Sequence, residues 1–403
     1  MRSFHHAAVR AAAALLLCAA TAMPAAAQDQ PSEFPSFQVP GWTFTPGVAF
    51  GTLYDSNVAI AGPDEFGKTA SDSSFQMEPF GQLEFFSPRT SFSSGYRGSL
   101  RRYFDLTDLD SVDHRAYFTL RHHVSRRITV FGDESFSQLP TTDALQLNGL
   151  PFARVGARYN AAGAGVDARL TRSLDLSTRY DMAWVEFLSQ TVSTPLTGGV
   201  VHGIRTDLTH RFNARLSAGG EYGFRWADLN NRLRQFNYQD VGGVLQYRGG
   251  ENTHMEFGAG MSHLLDRVTN STRTSPYARF SITHRTQRAT YGADYRRSYA
   301  PSFYLGGSHQ GQEVKGYVDM PFRRNRLYVS EMASWRRSSP IVVTNNPLDT
   351  VWVRSSLGYT VQRWIRVEGY HYYMNQDNSL AGGQITRQLL GVQLVISEPV
   401  RIR

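Results

Sequence analysis

Ionisable residues recur at alternate positions along much of this 403-residue chain. Arg97 and Arg101, Arg179 and Asp181, Glu221 and Arg225, and Asp294 and Arg296 stand an even number apart, as do Lys315 and Asp319 and Arg366 and Glu368. Even spacing puts both members of a pair on one face of a strand. Arg121, Arg158, Glu256, Arg279, Arg354 and Arg387 share the parity that apolar residues avoid, as do Glu78, Glu84, Arg154 and Arg336. The chemistry open to such a set is electrostatic. Arginine and carboxylate ladders can neutralise one another across strands, and an excess of arginine can draw an anion into a wet passage. Tyr317, Tyr328, Trp352, Tyr370 and Tyr372 lie among these charges and could stack on sugar rings, whereas Tyr96 falls on the apolar parity.

Bond-making chemistry finds no comparable set. His122 and His123 are adjacent, so a strand turns them to opposite sides and they cannot share a metal. His254, His263, His284, His309 and His371 are scattered and read as rim or interface residues. Asn270-Ser271-Thr272 fits a glycosylation acceptor only formally. No phosphate loop, dinucleotide fingerprint or calcium loop is present. No cofactor, metal or catalytic residue is expected, and an enzyme would need a clustered pair or triad at a rim.

The elements that must carry these side chains are long strands. Leu216, Ala218, Gly220, Tyr222, Phe224 and Trp226 form one parity of a segment whose other parity includes Ser217, Glu221 and Arg225. A strand tilted across a membrane takes roughly 9–11 residues, apolar outside and polar inside. Such segments run from 42–54 to 383–397, including 153–169, 288–298 and 312–322. Short turns such as Ser125-Arg126-Arg127 and Thr171-Arg172-Ser173 alternate with longer connections throughout. That alternation predicts an all-β, transmembrane, antiparallel up-and-down β-barrel of about 18 strands, with 16 as second choice, and short periplasmic turns. A soluble propeller would repeat four strands roughly every 40–50 residues. Here a comparable period holds two long strands.

Parity also assigns the wall. Leu174, Leu176, Tyr180, Met182 and Trp184 should face lipid, as should Val351, Val353, Leu357 and Tyr359. A charge at the lipid midplane costs roughly 2–4 kcal/mol. Glu331 breaks the pattern beside Leu327, Val329 and Ala333, so it is expected either to turn inward through a bulge or to lie near a membrane interface.

Composition excludes other classes. Mean hydropathy is −0.37, and no segment after the first reaches the length of a helical span. Tyr 20, Phe 24 and Trp 6 make the chain rich in the residues of strands and interfacial girdles. The formal net charge of +8 is spread along the chain. It suggests lipopolysaccharide or an acidic polymer as a partner rather than nucleic acid. Residues 1–27 read as a cleaved secretory signal: Arg2 and Arg10, then apolar Ala11 to Ala20, then small residues ending at Ala27. Cys18, the sole cysteine, lies within it behind Leu17, a poor setting for lipoprotein cleavage. Residues 28–41 read as a short periplasmic leader with Pro31, Pro35 and Pro40, and 42–403 as the barrel.

One local motif points to a family. Tyr54-Asp55-Ser56-Asn57-Val58, preceded by Pro46-Gly47-Val48, resembles the segment that opens outer-membrane β-barrel porins of the "porin 2" type. The likeness in layout extends over the mature chain. The end departs from many such barrels, because Val400-Arg401-Ile402-Arg403 has no terminal aromatic residue. Locally, Asp55 and Asn57 read as turn formers that hydrogen-bond their own backbone. The resemblance implies a porin-like conduit of the bacterial outer membrane, linked to exopolysaccharide export. The expected partners are outer-membrane lipid and lipopolysaccharide, an anionic or neutral polysaccharide, and periplasmic export components. The alternatives are a general diffusion channel for small anionic or sugar solutes and an outer-membrane barrel enzyme.

Overall fold

The computed structural model describes residues 40–62, 69–145, 147, 149–188, 196–229, 233–303, 307–322, 326–341, 347–378 and 383–402. The expected signal and nearly all of the leader lie outside the described residues; Gly41, placed in the leader from sequence, opens the first strand.

Eighteen long strands follow one another. They are β1 (Gly41–Asp55), β2 (Asp72–Phe86), β3 (Thr90–Tyr103), β4 (Ser111–His123), β5 (Ile128–Leu139) and β6 (Ala157–Arg169). Next come β7 (Leu174–Phe187), β8 (Gly199–Arg211), β9 (Leu216–Leu229), β10 (Arg234–Arg248), β11 (Thr253–Asp266) and β12 (Ser271–Arg285). The last six are β13 (Thr290–Ser302), β14 (Gly307–Phe322), β15 (Leu327–Pro340), β16 (Leu348–Gln362), β17 (Ile365–Asn378) and β18 (Gly383–Ser397). A short β19 (Val400–Ile402) continues the line of β18 and also pairs with β1. Each strand is antiparallel to its neighbours, and β1 pairs with both β2 and β18, so the sheet closes on itself. Closure leaves no sheet edge facing lipid, which is why a sheet can span a membrane at all.

Local chemistry explains the tight turns. At five of them one side-chain oxygen, from Ser87, Ser125, Thr171, Asn213 or Thr286, accepts backbone N–H groups that the ladder has released. Such side chains mimic a backbone turn, and they start the returning strand in fixed register. Gly250, at φ +91°, supplies the left-handed residue in the turn after β10.

The outer wall is apolar. Val241, Phe257, Met261, Leu357, Leu390 and Val392 are all about half exposed, while ladder partners of the other parity are buried or polar. Trp42, Tyr247, Tyr359 and Trp364 stand at the level of the short turns, where an interfacial girdle belongs. Among the described residues no helix is long and apolar enough to cross a membrane; strands do the crossing.

Two ladder features position the interior. β12 and β13 pair only from Arg285↔Thr290 up to Ala278↔Arg297, although both strands run on. Beyond that point the tip of the β13–β14 hairpin leans inward: the Arg225 Nη2 on β9 donates to Tyr299 O at 2.9 Å, and Tyr238 on β10 donates to Ser308 Oγ at 3.2 Å. The second feature is the 140–156 connection between β5 and β6, which enters the lumen. Residues 153–156 belong to it, so β6 starts at Ala157 rather than at 153.

Candidate functional site

The lumen has a dry extracellular half and a charged half below it. In the dry half, Leu145 and Leu150 of the β5–β6 connection pack with Leu139, Val185, Leu229, Phe236, Tyr238, Tyr299 and Phe303 in one buried cluster. Phe152 joins a second cluster with Ile60, Trp352, Tyr372, Met374 and Ile385. Burying each such side chain contributes about 1.5–3 kcal/mol. Polar bonds then fix the connection across the barrel. Phe152 N donates to Gln376 Oε1 at 2.8 Å on β17, Ser302 Oγ donates to Gly149 O at 2.9 Å, and Arg154 Nη1 donates to Val58 O at 3.0 Å. His309 is fully buried there, not at a rim, and neither ring nitrogen has a hydrogen-bond partner among the described residues.

A buried ion triad ties the connection to the seam. Arg387 on β18 grips Asp55 at the end of β1 with Nε at 3.0 Å and Nη2 at 2.5 Å, and its Nη1 reaches Asp143 of the connection at 2.9 Å. All three side chains are at most 5% exposed. Asp55 Oδ1 also accepts Asn57 N at 3.0 Å, and Asn57 Nδ2 donates to Ala61 O and Thr386 O. The motif residues therefore bond their own backbone, and Asp55 carries in addition the counter-charge of the latch. Tyr54 points outward and is half exposed.

Below the plug the wall carries paired charges. Arg179 holds Asp133 with two bonds of 2.9 Å and Asp181 with a third of 2.5 Å. Glu221 accepts from Arg205, Arg279 and Tyr277, and Arg279 also reaches Glu256. Tyr277 lies flat against β10 because Gly242 has no side chain; a Cβ there would fall 2.2 Å from its hydroxyl. Arg225 pairs with Asp240 at 2.9 Å, Arg336 with Glu313 at 2.7 Å, and Arg97 with Glu78 at 2.7 Å. Arg366 stands 3.6 Å from Glu368, and Arg121 pairs with Asp167 near the periplasmic end. Asp319 accepts from Ser330. Arg354 lies over the Tyr372 ring. Arg101, Arg296 and Lys315 have no ion pair among the described residues, although Lys315 faces Asp294 and Arg296 faces Glu313 across the ladder. A cavity of about 460 Å³ opens among Arg179, Arg205, Glu221, Arg225, Arg279 and Arg296.

Of the residues assigned to the lumen from sequence, Arg158 is misplaced. It lies on the outer surface, about half exposed, bonding Gln138 and Glu186. The plug is the reason. Ala157 and Tyr159 pack against it, so near the top of β6 the apolar parity faces in and the polar one faces out. For Glu331, one of the two expected placements is excluded. β15 keeps unbroken register with β14 and β16, so no bulge turns Glu331 inward, and its outward neighbours above and below are apolar. Sequence reading also missed Arg205 and Glu313, which share parity with Asp207 and Lys315 and were within its reach, and Asp143, which no periodicity marks.

No protein-family model and no curated protein matches the chain. Among solved structures it is similar to Pseudomonas aeruginosa OpdQ, with TM-score 0.43 and 9% identity over 90% of this chain and 98% of that one. It is similar to Acinetobacter baumannii OccAB2, with TM-score 0.45 and 10% identity over 89% and 98%. A third likeness is the Pseudomonas aeruginosa outer membrane protein opdK, with TM-score 0.42 and 11% identity over 88% and 99%. These are distant likenesses of shape. The chain's own architecture, a closed 18-strand antiparallel cylinder with an apolar belt and a polar bore, defines an outer-membrane β-barrel with a porin fold. The protein resides in the bacterial outer membrane.

Proposed function

We propose that the protein is a passive channel for small solutes with a preference for anions. The observation that carries this reading is the cavity beneath the plug. Its volume falls within the range of roughly 300–1,000 Å³ in which small-molecule sites lie, and six arginines line it. Arg179, Arg205, Arg225 and Arg279 are neutralised by carboxylates, which keeps the bore wet and rigid, while Arg296 in the same lining has no ion pair among the described residues and biases the field toward positive. Lipid and lipopolysaccharide surround the wall, and the barrel performs no chemical step. Purified protein in planar bilayers tests the reading: anion permeability should exceed cation permeability, and a strong cation preference removes the anionic solute. Liposome swelling that shows no uptake of small sugars or organic anions removes the channel.

Exopolysaccharide export and membership of the "porin 2" type rest on the Tyr54-Asp55-Ser56-Asn57 segment. The latch gives Asp55 and Asn57 work that needs no polymer. A polymer would also have to displace the β5–β6 connection, so the small-solute reading takes precedence. Normal polysaccharide secretion with reduced solute uptake in a deletion strain is the expected result; lost secretion reverses the order.

A further inference from the structure

Glu331 sits where a barrel facing lipid on all sides has no use for a carboxylate. It is exposed on the outer wall, between Val329 and Ala333 on its own strand. Its bond on this wall comes from Ser355 Oγ of β16, at 2.6 Å. On the next strand Ser355 faces His371, so Glu331, Ser355 and His371 form one polar line across three strands. Small residues lie beside the line, between the larger outward Leu357 and Leu390. Gly316, Ala333 and Gly369 share the outward face, and a Cβ added to Gly369 would meet nothing within 4 Å. The barrel can satisfy an outer carboxylate internally when it has no other partner. Glu134 on β5 is half-buried beside Phe118 and Phe136 and accepts a 2.8 Å bond from the Asn160 amide. Glu331 has no such cover.

We propose that this face joins two copies of the chain about a two-fold axis passing near Ser355 along the membrane normal. Such an axis exchanges left and right on the facing walls and preserves height. Glu331 and His371 flank Ser355, so each Glu331 meets the His371 of the other copy, and the contact closes on itself. Strand tilt staggers the two side chains by roughly 6 Å, which the glutamate and the imidazole span together. An imidazole N–H can donate to the carboxylate whether the ring is neutral or charged. Small residues let the two walls approach closely, as they do wherever protein surfaces pack within lipid. A head-to-tail contact between the Glu331 face and the Glu134 face is excluded as a closed assembly. β5 and β15 lie on roughly opposite sides of the ring, so that contact would build an open row.

The test uses a cysteine on the axis. Ser355→Cys is introduced into the full chain with Cys18, its only cysteine, changed to alanine. Oxidation in native outer membranes should give a covalent dimer in several-fold greater yield than Leu208→Cys, an exposed position on the far wall. Adding Glu331→Ala should lower that yield several-fold. Equal yields from the two cysteines overturn the proposal. Should Ser355→Cys fail to insert, light scattering of the unaltered protein in mild detergent decides: twice the chain mass supports the pair, and a single chain mass overturns it.

Discussion

The two halves of this lumen are packed in different ways. The extracellular half resembles the interior of a soluble protein: Leu139, Leu145, Leu150 and Phe236 exclude water, and its charges are buried and fixed, foremost in the Arg387–Asp55–Asp143 triad. The half below is held apart by charge, with Arg179, Glu221 and Arg279 each bonded to two or more partners and the two arginines still partly exposed. The contrast teaches that barrel shape alone does not set the bore. The same wall is filled where a connection brings apolar side chains inside, and stays open where arginines and carboxylates hold water between them.

The sharpest way to break this contrast is Arg387→Ala. It leaves Asp55 and Asp143 buried without a counter-charge, a loss of about 3–5 kcal/mol when one partner of a buried pair is removed. The connection should leave the lumen, and single-channel conductance should rise; unchanged conductance would mean that the apolar cluster alone retains the plug. Leu150→Ala attacks the dry half directly. A large-to-small change at a 2% exposed leucine costs about 2–5 kcal/mol. It should hasten protease cleavage of the 140–156 connection on intact cells while the strands stay protected.

Glu221→Gln probes the wet half. It releases Arg205 and Arg279 from their shared carboxylate, so the ratio of anion to cation permeability should increase, and the increase should shrink as salt screens the bore. The smallest effect is expected at Arg158→Ala. Its exposed pair with Glu186 is worth at most about 1 kcal/mol, and neither thermal stability nor ion selectivity should move measurably. A selectivity change there would return Arg158 to the lumen.

These differences also mark what the chain reveals unaided. All eighteen strands are legible because each wall residue must choose between lipid and water, a choice that alternates with the pleat. The plug is not legible. Its residues obey no period, since Asp143 and Leu150 are placed by contacts with β18 and β17, and Leu145 by the buried cluster, rather than by their neighbours. Where the plug touches the wall, it inverts the rule used to read it. Ala157 and Tyr159 face inward for the same reason that Leu357 faces outward, because each meets an apolar surface.

Asp55 and Arg387 stand on the first and last long strands, 332 positions apart, and meet across the seam that joins them. The clasp on Asp143 therefore cannot be set while the sheet is still being added strand by strand. Only when both termini lie side by side does the arginine find its two acids together. Locking of the connection by its ion triad is thus the final step of assembly, and a half-inserted intermediate holds it by the apolar cluster and neutral hydrogen bonds alone.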